Sequence, residues 1–281
     1  MLAVKKVAII PTLLTLGNAT CGFAAIAAAS KIGRGEASAS AHLDDPYFAL
    51  SGLLIIAAMV FDALDGYVAR LSKSASNFGM QLDSLCDAIS FGVAPAFLIL
   101  RLGPRTSPVP QLHQALAVIA ALYMACTLLR LARFNIETAV EPNVNKRFRG
   151  LPSPGAAGCI ATLAILRGEL AKRWPALDAD AVRLAIEVWT LLGALTVALL
   201  MVSRVPYPHL TKQILRGRRP FSHLVQIILA GVVIILVWDL AFAFLFWLYA
   251  LGIPLRYVLA RNLRRVPGHA LSSGSEEPIP H

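Results

Sequence analysis

Charge is scarce in this chain. Asp, Glu, Lys and Arg make up only 15% of its 281 residues, against about 25% in an ordinary soluble domain. Together with a mean hydropathy of +0.66 and repeated apolar runs of about 20 residues, this excludes a water-soluble globule and indicates a polytopic membrane protein. Cysteine is also sparse. Cys21, Cys86, Cys126 and Cys159 are scattered through apolar segments with no C-x-x-C pair, which argues against a disulfide framework or a zinc site. The six histidines are equally dispersed, and none pairs at helical spacing with another metal ligand. The formal charge of +10 would suggest nucleic acid in a soluble protein, but no basic stripe is interleaved with exposed aromatics. The excess is read as positive-inside loops and attraction to anionic lipid, with no nucleic-acid partner.

What the chain does have is a succession of apolar runs. Residues 1–30 resemble a signal peptide in their Lys5–Lys6 start and small-residue end. However, the apolar stretch is long and carries Pro11, Thr12, Thr15, Asn18 and Thr20, so it is read as the first membrane helix. Further runs cover about 47–71, 78–100, 113–134, 151–166 and 183–203. Residues 224–259 are too long for one span and carry Asp239 mid-run. They are read as a two-helix hairpin turning near Asp239, with one long tilted helix as the alternative. The expected fold is therefore an all-α transmembrane bundle: a six-helix core within 1–208, a basic loop and hairpin over 209–261, and a disordered tail over 262–281. Most of the 26 lysines and arginines fall at the N-terminus, in the 70–78, 135–150 and 204–220 connections, and in the tail. That side, with both termini, is expected to be cytoplasmic in the cell (inner) membrane.

One stretch breaks the apolar pattern. Asp62, Asp65, Asp83 and Asp87 lie between runs long enough to cross a membrane. Uncompensated, four carboxylates at bilayer depth would cost on the order of 10 kcal/mol, and divalent metal is the natural compensation for converging carboxylates. Asp62, Asp65, Gly66 and Ala69 fall within one arc of the second helix, and Gly79, Asp83 and Asp87 line one face of the third. The short connection between them (LSKSASNF) makes the two helices antiparallel neighbours, so all four carboxylates are expected in one cleft at the cytoplasmic end. Hard oxygen ligands suit Mg²⁺ or Mn²⁺, and four carboxylates suffice for two ions. Gly66 and Gly79 leave room against the backbone for a bulky group. Intramembrane acids also mark ion-transport pathways, which keeps a cation transporter as the alternative of a different class. On the first helix, Pro11, Thr15, Asn18 and Gly22 share one face, read either as small-residue packing or as a polar stripe facing a ligand cavity.

The pattern Asp62-x2-Asp65-Gly66-x2-Ala69-Arg70-x8-Gly79-x3-Asp83-x3-Asp87 resembles, at every position, the motif of the CDP-alcohol phosphotransferases. That resemblance implies that Asp62, Asp65 and Asp83 hold metal. Asp87 would both contribute to metal binding and act as base on the incoming alcohol. Gly66, Ala69, Arg70 and Gly79 would accommodate the CDP moiety, and Thr15 and Asn18 are assigned to the same nucleotide subsite. It further implies an alcohol displacing CMP from a CDP-lipid, and a homodimer.

The shared motif does not choose the alcohol. PTLLTLGNATCGF near the N-terminus, RLARFNIE followed by GLPSPGAAG, and LMVSRVPYP look like the branch of that family that makes phosphatidylserine, over about residues 5–208. L-serine is therefore the expected acceptor and CDP-diacylglycerol the donor. Arg130 and Arg133 could meet the serine carboxylate or the lipid phosphate, and Asn135 and Ser153 could add hydrogen bonds. Either arginine could equally be an interfacial anchor. A phosphorylated acceptor such as glycerol 3-phosphate or inositol phosphate would call for a denser cationic pocket, which Lys146, Arg147 and Arg149 keep open.

Overall fold

Hydrocarbon cannot hydrogen-bond a bare peptide group, so long apolar runs close their backbone bonds internally as helices. The computed structural model describes residues 9–32, 46–72, 77–103, 110–140, 148–173, 179–207 and 238–263. In chain order these form α1 (Ile9–Lys31), α2 (Pro46–Leu71), α3 (Asn77–Asp87), a π-helical segment (Ala88–Val93), α4 (Ala94–Leu102), α5 (Pro110–Val140), α6 (Ser153–Arg173), α7 (Ala179–Val202) and α8 (Trp238–Leu263). Among the described residues, six helices are long and apolar enough to span a membrane: Ile9–Lys31, Pro46–Leu71, Phe78–Leu102, Gln114–Ile136, Leu184–Val202 and Asp239–Tyr257. The protein is a multi-pass transmembrane helix bundle.

α6 is missing from those six because it occupies the middle. Every residue from Ala156 to Ile165 is buried, so its surroundings are other helices and it needs no lipid-facing apolar surface. Small residues let α2 cross it closely. A Cβ on Gly52 would stand 2.5 Å from the Ala161 carbonyl oxygen, and one on Gly168 would stand 2.8 Å from the Ala49 nitrogen, the close approach that small residues permit between membrane helices. At its far end the buried Arg167 donates to the Leu102 carbonyl at 2.6 Å, pairs with Glu187 at 3.9 Å and lies 4.6 Å from the Phe48 ring centre. One desolvated cation thus joins α2, α4, α6 and α7.

Three details depart from the expected layout. The third apolar run is divided, with the π-helical segment beginning directly after Asp87. The fourth helix continues to Val140 instead of stopping near 134, because polarity ends a membrane span without ending a helix. A two-residue antiparallel pairing of Phe148–Arg149 with Pro206–Tyr207 links two loops that had been read as separate. Gly150, at φ 88°, closes that link by donating to the Val205 carbonyl at 2.9 Å; its positive φ and the nearby Met201 carbonyl leave no place for a side chain. The link fixes Ser153 at the start of α6. Of the expected C-terminal hairpin, only the part from Trp238 onward is described, as α8, with Asp239 buried in its first turn. The first arm and turn, the 209–237 segment and the 264–281 tail lie outside the described residues.

Candidate active site

The acidic centre forms where α1, α2, α3 and α5 meet. α1 packs along α2 and also against α3. By contrast, α2 and α3 approach each other little and are not the close neighbours their short connection suggested. α1 serves as the common support of the two.

Across that gap one carboxylate oxygen each from Asp62, Asp83 and Asp87 gathers, all within 4.8 Å of one another. Asp87 is only 9% exposed and Asp65 only 5%. Asp65, on the same helix as Asp62, is not in that group of three. It lies close enough to act electrostatically on Asp62 and Asp83, with the Thr15 hydroxyl beside it. That hydroxyl donates to the Pro11 carbonyl at 2.9 Å. One oxygen of Asp65 and one of Asp83 are buried with no hydrogen-bond partner. Unsatisfied buried acceptors are costly, and a cation among them would satisfy both. The donor set, hard oxygens and no sulfur or imidazole, therefore fits a metal ion.

Asp87 is held from the side by α1. The Asn18 amide donates to its carboxylate at 3.0 Å, and Asn18 is fully buried. The Asn18 backbone carbonyl in turn accepts from the Ser90 hydroxyl at 2.9 Å. Ser90 lies within the π-helical segment, as does Phe91, whose carbonyl accepts from the Tyr123 hydroxyl at 3.2 Å. Single π turns recur at functional positions in helices, and this one turns Ser90 toward α1 directly after Asp87. Gly22 makes room for the approach: a Cβ there would come within 2.7 Å of the Ser90 Cα. Because that atom is backbone, no rotamer change relieves the clash. Gly22→Ala is expected to destabilise the protein by about 1–3 kcal/mol and to lower turnover by displacing Asn18 from Asp87. Unchanged melting temperature and rate in that variant would disconnect α1 from the centre.

The other expected positions are distributed as follows. Gly66 faces the Arg70 guanidinium, 3.5 Å from where a Cβ would be, so Arg70 folds back along α2. Ala69 is half-buried beside it, and Gly79 is half-buried near the start of α3. Arg130, on α5, lies in the electrostatic neighbourhood of Asp87 and Asp62 and donates to the Ser153 hydroxyl. Asn135 and Ser84 hydrogen-bond each other at 2.9 Å, tying the end of α5 to the residue after Asp83. Arg133 is half-buried three residues from Arg130. Sequence reasoning missed Ser90, Ser84 and Tyr123. Of these, only Ser90, three residues beyond Asp87, carried a spacing signal.

A carboxylate cluster sunk in a transmembrane bundle, in the electrostatic neighbourhood of Arg130, defines a membrane-embedded acidic site with a capacity for metal. The model of the CDP-alcohol phosphatidyltransferase family matches residues 8–202, and the chain belongs to that family. Similar proteins include the CDP-diacylglycerol--serine O-phosphatidyltransferase of Helicobacter pylori (strain ATCC 700392 / 26695). It is 34% identical over 166 residues, which are 59% of this chain and 63% of the relative. The Bacillus subtilis (strain 168) protein of that name is 31% identical over 204 residues, 72% of this chain and 92% of the relative. The Saccharomyces cerevisiae protein of that name is 39% identical over 127 residues, 43% and 41% of the two chains. The match thus spans just under two thirds of the Helicobacter relative's length.

Proposed function

We propose that the protein transfers the phosphatidyl group of CDP-diacylglycerol to the hydroxyl of L-serine, giving phosphatidylserine and CMP. The observation that carries this reading is the convergence of Asp62, Asp83 and Asp87 within 4.8 Å inside a chain of this family. The choice of serine rests on the names of the relatives. The new bond joins the serine oxygen to the phosphorus that bears diacylglycerol. The bond broken is the one from that phosphorus to the CMP oxygen, and CMP leaves with the electron pair.

Asp62, Asp65, Asp83 and Asp87 would hold Mg²⁺ or Mn²⁺, two ions being the number their charge suits. When bound, the metal neutralises the pyrophosphate oxygens and the charge on the leaving phosphate. Asp87 takes the hydroxyl proton, and Asn18 orients it for that role. A buried base must present one oxygen to the acceptor, and the Asn18 amide engages the other. The small groups at Gly66, Ala69 and Gly79 leave space for the nucleotide, with Arg70 and Thr15 at its border. Arg130 and Ser153 form the acceptor side together with Arg133, while Asn135 holds α5 against Ser84. The apolar surfaces around the bundle admit the lipid chains from the side.

The loop charges support an inner-membrane protein with its acidic centre and both termini toward the cytoplasm, where CTP-derived nucleotides are made. The catalytic core is assigned to 1–208, with α8 (Trp238–Leu263) as an addition to it. The resemblance to the family supports a homodimer.

The test supplies membranes carrying the protein with CDP-diacylglycerol, metal and each labelled alcohol in turn. Label from serine entering lipid with equimolar CMP release is the expected result. Label from glycerol 3-phosphate or inositol phosphate but not serine overturns the choice of acceptor. Cation flux into vesicles without CMP release overturns the enzyme.

A further inference from the structure

The family match ends at residue 202, yet a helix beyond it reaches the polar groups beside the carboxylates. α8 is seated on α6 and α7 by three glycines. A Cβ on Gly158 would collide with the Phe246 ring and one on Gly193 with the Trp247 ring, while one on Gly155 would stand 3.3 Å from Tyr249 Cε1. Two further contacts fix the register along the axis. The Tyr207 hydroxyl donates to the Ala250 carbonyl at 2.9 Å, and the Cys159 thiol reaches the Phe246 carbonyl at 3.5 Å. The Tyr249 ring leans on that of Tyr207 with centres 5.6 Å apart at 58°.

So held, Tyr249 occupies a particular place. Gly155, which it covers, is two residues past Ser153, and Ser153 accepts from Arg130. The phenol and the Arg130 guanidinium are electrostatic neighbours, and Arg130 also neighbours Asp87 and Asp62. The ring is half-buried. A guanidinium bonded to Ser153 and a phenol packed against Gly155, two residues further along α6, offer two donors to a small anion near the acidic centre. One cation with one neutral donor matches the single charge of a carboxylate; a phosphate dianion would leave charge uncompensated.

We propose that Tyr249 is a specificity-determining residue for the acceptor: its hydroxyl hydrogen-bonds the carboxylate of an amino-acid alcohol whose other side is held by Arg130. The proposal rests on the serine reading above and assigns the choice of acceptor partly to the C-terminal helix. Sites built to bond a polar group discriminate strongly against analogues that lack it. Serinol, which is serine with its carboxylate replaced by a hydroxymethyl group, is therefore the informative competitor.

The experiment uses the full chain in membranes or detergent with CDP-diacylglycerol and metal. It measures kcat and KM for L-serine, KM for the CDP-lipid, and the rate with serinol. In Tyr249→Phe the KM for serine is expected to rise about ten-fold, one hydrogen bond to a charged group, with kcat and the CDP-lipid KM within about two-fold. Serinol turnover is expected to be unchanged, so the preference for serine over serinol falls about ten-fold. Tyr207→Phe is the packing control. It loses the bond to Ala250 and is expected to lower thermal stability without altering that preference.

An unchanged serine KM in Tyr249→Phe, an equal loss with serinol, or the same change of preference in Tyr207→Phe would overturn the proposal. A wild type that never uses serine overturns the acceptor reading itself. A wild type that uses serine alongside an indifferent Tyr249→Phe overturns only the role of Tyr249.

Discussion

Asp87→Asn is expected to lower turnover by about 10²–10⁴-fold, the usual worth of a positioned general base, while binding of the CDP-lipid persists. Asparagine keeps the shape and one carbonyl oxygen, so the 3.0 Å bond from Asn18 has an acceptor still. On the proposed mechanism, what disappears is the oxygen that takes the acceptor's proton, together with one charge of the triad. Those two losses can be separated. Asp62 belongs to the same triad but among the described residues has no partner resembling the Asn18 amide, and no proton-accepting role is assigned to it. Asp62→Asn should therefore recover part of its activity when Mg²⁺ or Mn²⁺ is raised, because weakened binding is offset by mass action. Asp87→Asn should not recover. Steady-state rates across a metal titration, with CDP-lipid binding measured in parallel, check both. Activity in Asp87→Asn within ten-fold of wild type, or full rescue by metal, would remove Asp87 from the proton-transfer role.

The helices and the acidic positions were legible because each rests on a strong local signal. Apolar runs fix spans, and a charge inside a span is expensive enough to demand a partner. Spacing alone set Asp62 and Asp65 on one arc and Asp83 and Asp87 on another. Contacts that depend on a third element were not legible. Nothing local tells that α1 packs against both of the helices that carry those arcs, that Asp65 stands apart from the close group of three, or that Asn18 turns to Asp87. The stripe Pro11, Thr15, Asn18 and Gly22 gave the right face of α1: Thr15, Asn18 and Gly22 are all buried. The π-helical segment was hidden because Ala88–Val93 reads as ordinary helix, and its cause is tertiary: Ser90 bonds to α1 and the Phe91 carbonyl to Tyr123. Tyr249 was hidden by composition, one aromatic within an apolar, aromatic-rich run whose neighbours pack on α6 and α7. The same limit explains why Arg130 and Ser153, expected separately, turned out to be bonded to each other.

Stripping the metal is expected to abolish turnover, with activity returning on addition of Mg²⁺ or Mn²⁺; activity surviving a strong chelator would contradict a metal centre. Removal should also invert the stability order of wild type and one variant. Two charged carboxylate oxygens no more than 4.8 Å apart repel by at least about 3 kcal/mol at an effective dielectric near 20, and three of them compound the effect. On the proposed metal assignment this repulsion is overcompensated when the ion is bound, and each carboxylate would then stabilise the fold through the ion. Asp83→Asn then removes a ligand and should melt below wild type. Without metal the sign changes. The variant now lacks one of the repelling charges, and its amide can satisfy the buried position that leaves an Asp83 oxygen without a partner. The chelated variant should melt at or above chelated wild type, and the two curves should cross as metal is titrated back. Melting of the detergent-solubilised protein by tryptophan fluorescence, with and without chelator, reads this directly. A variant destabilised equally under both conditions would mean that Asp83 supports the fold by ordinary hydrogen bonding, and the metal assignment would then have to rest on Asp62, Asp65 and Asp87 alone.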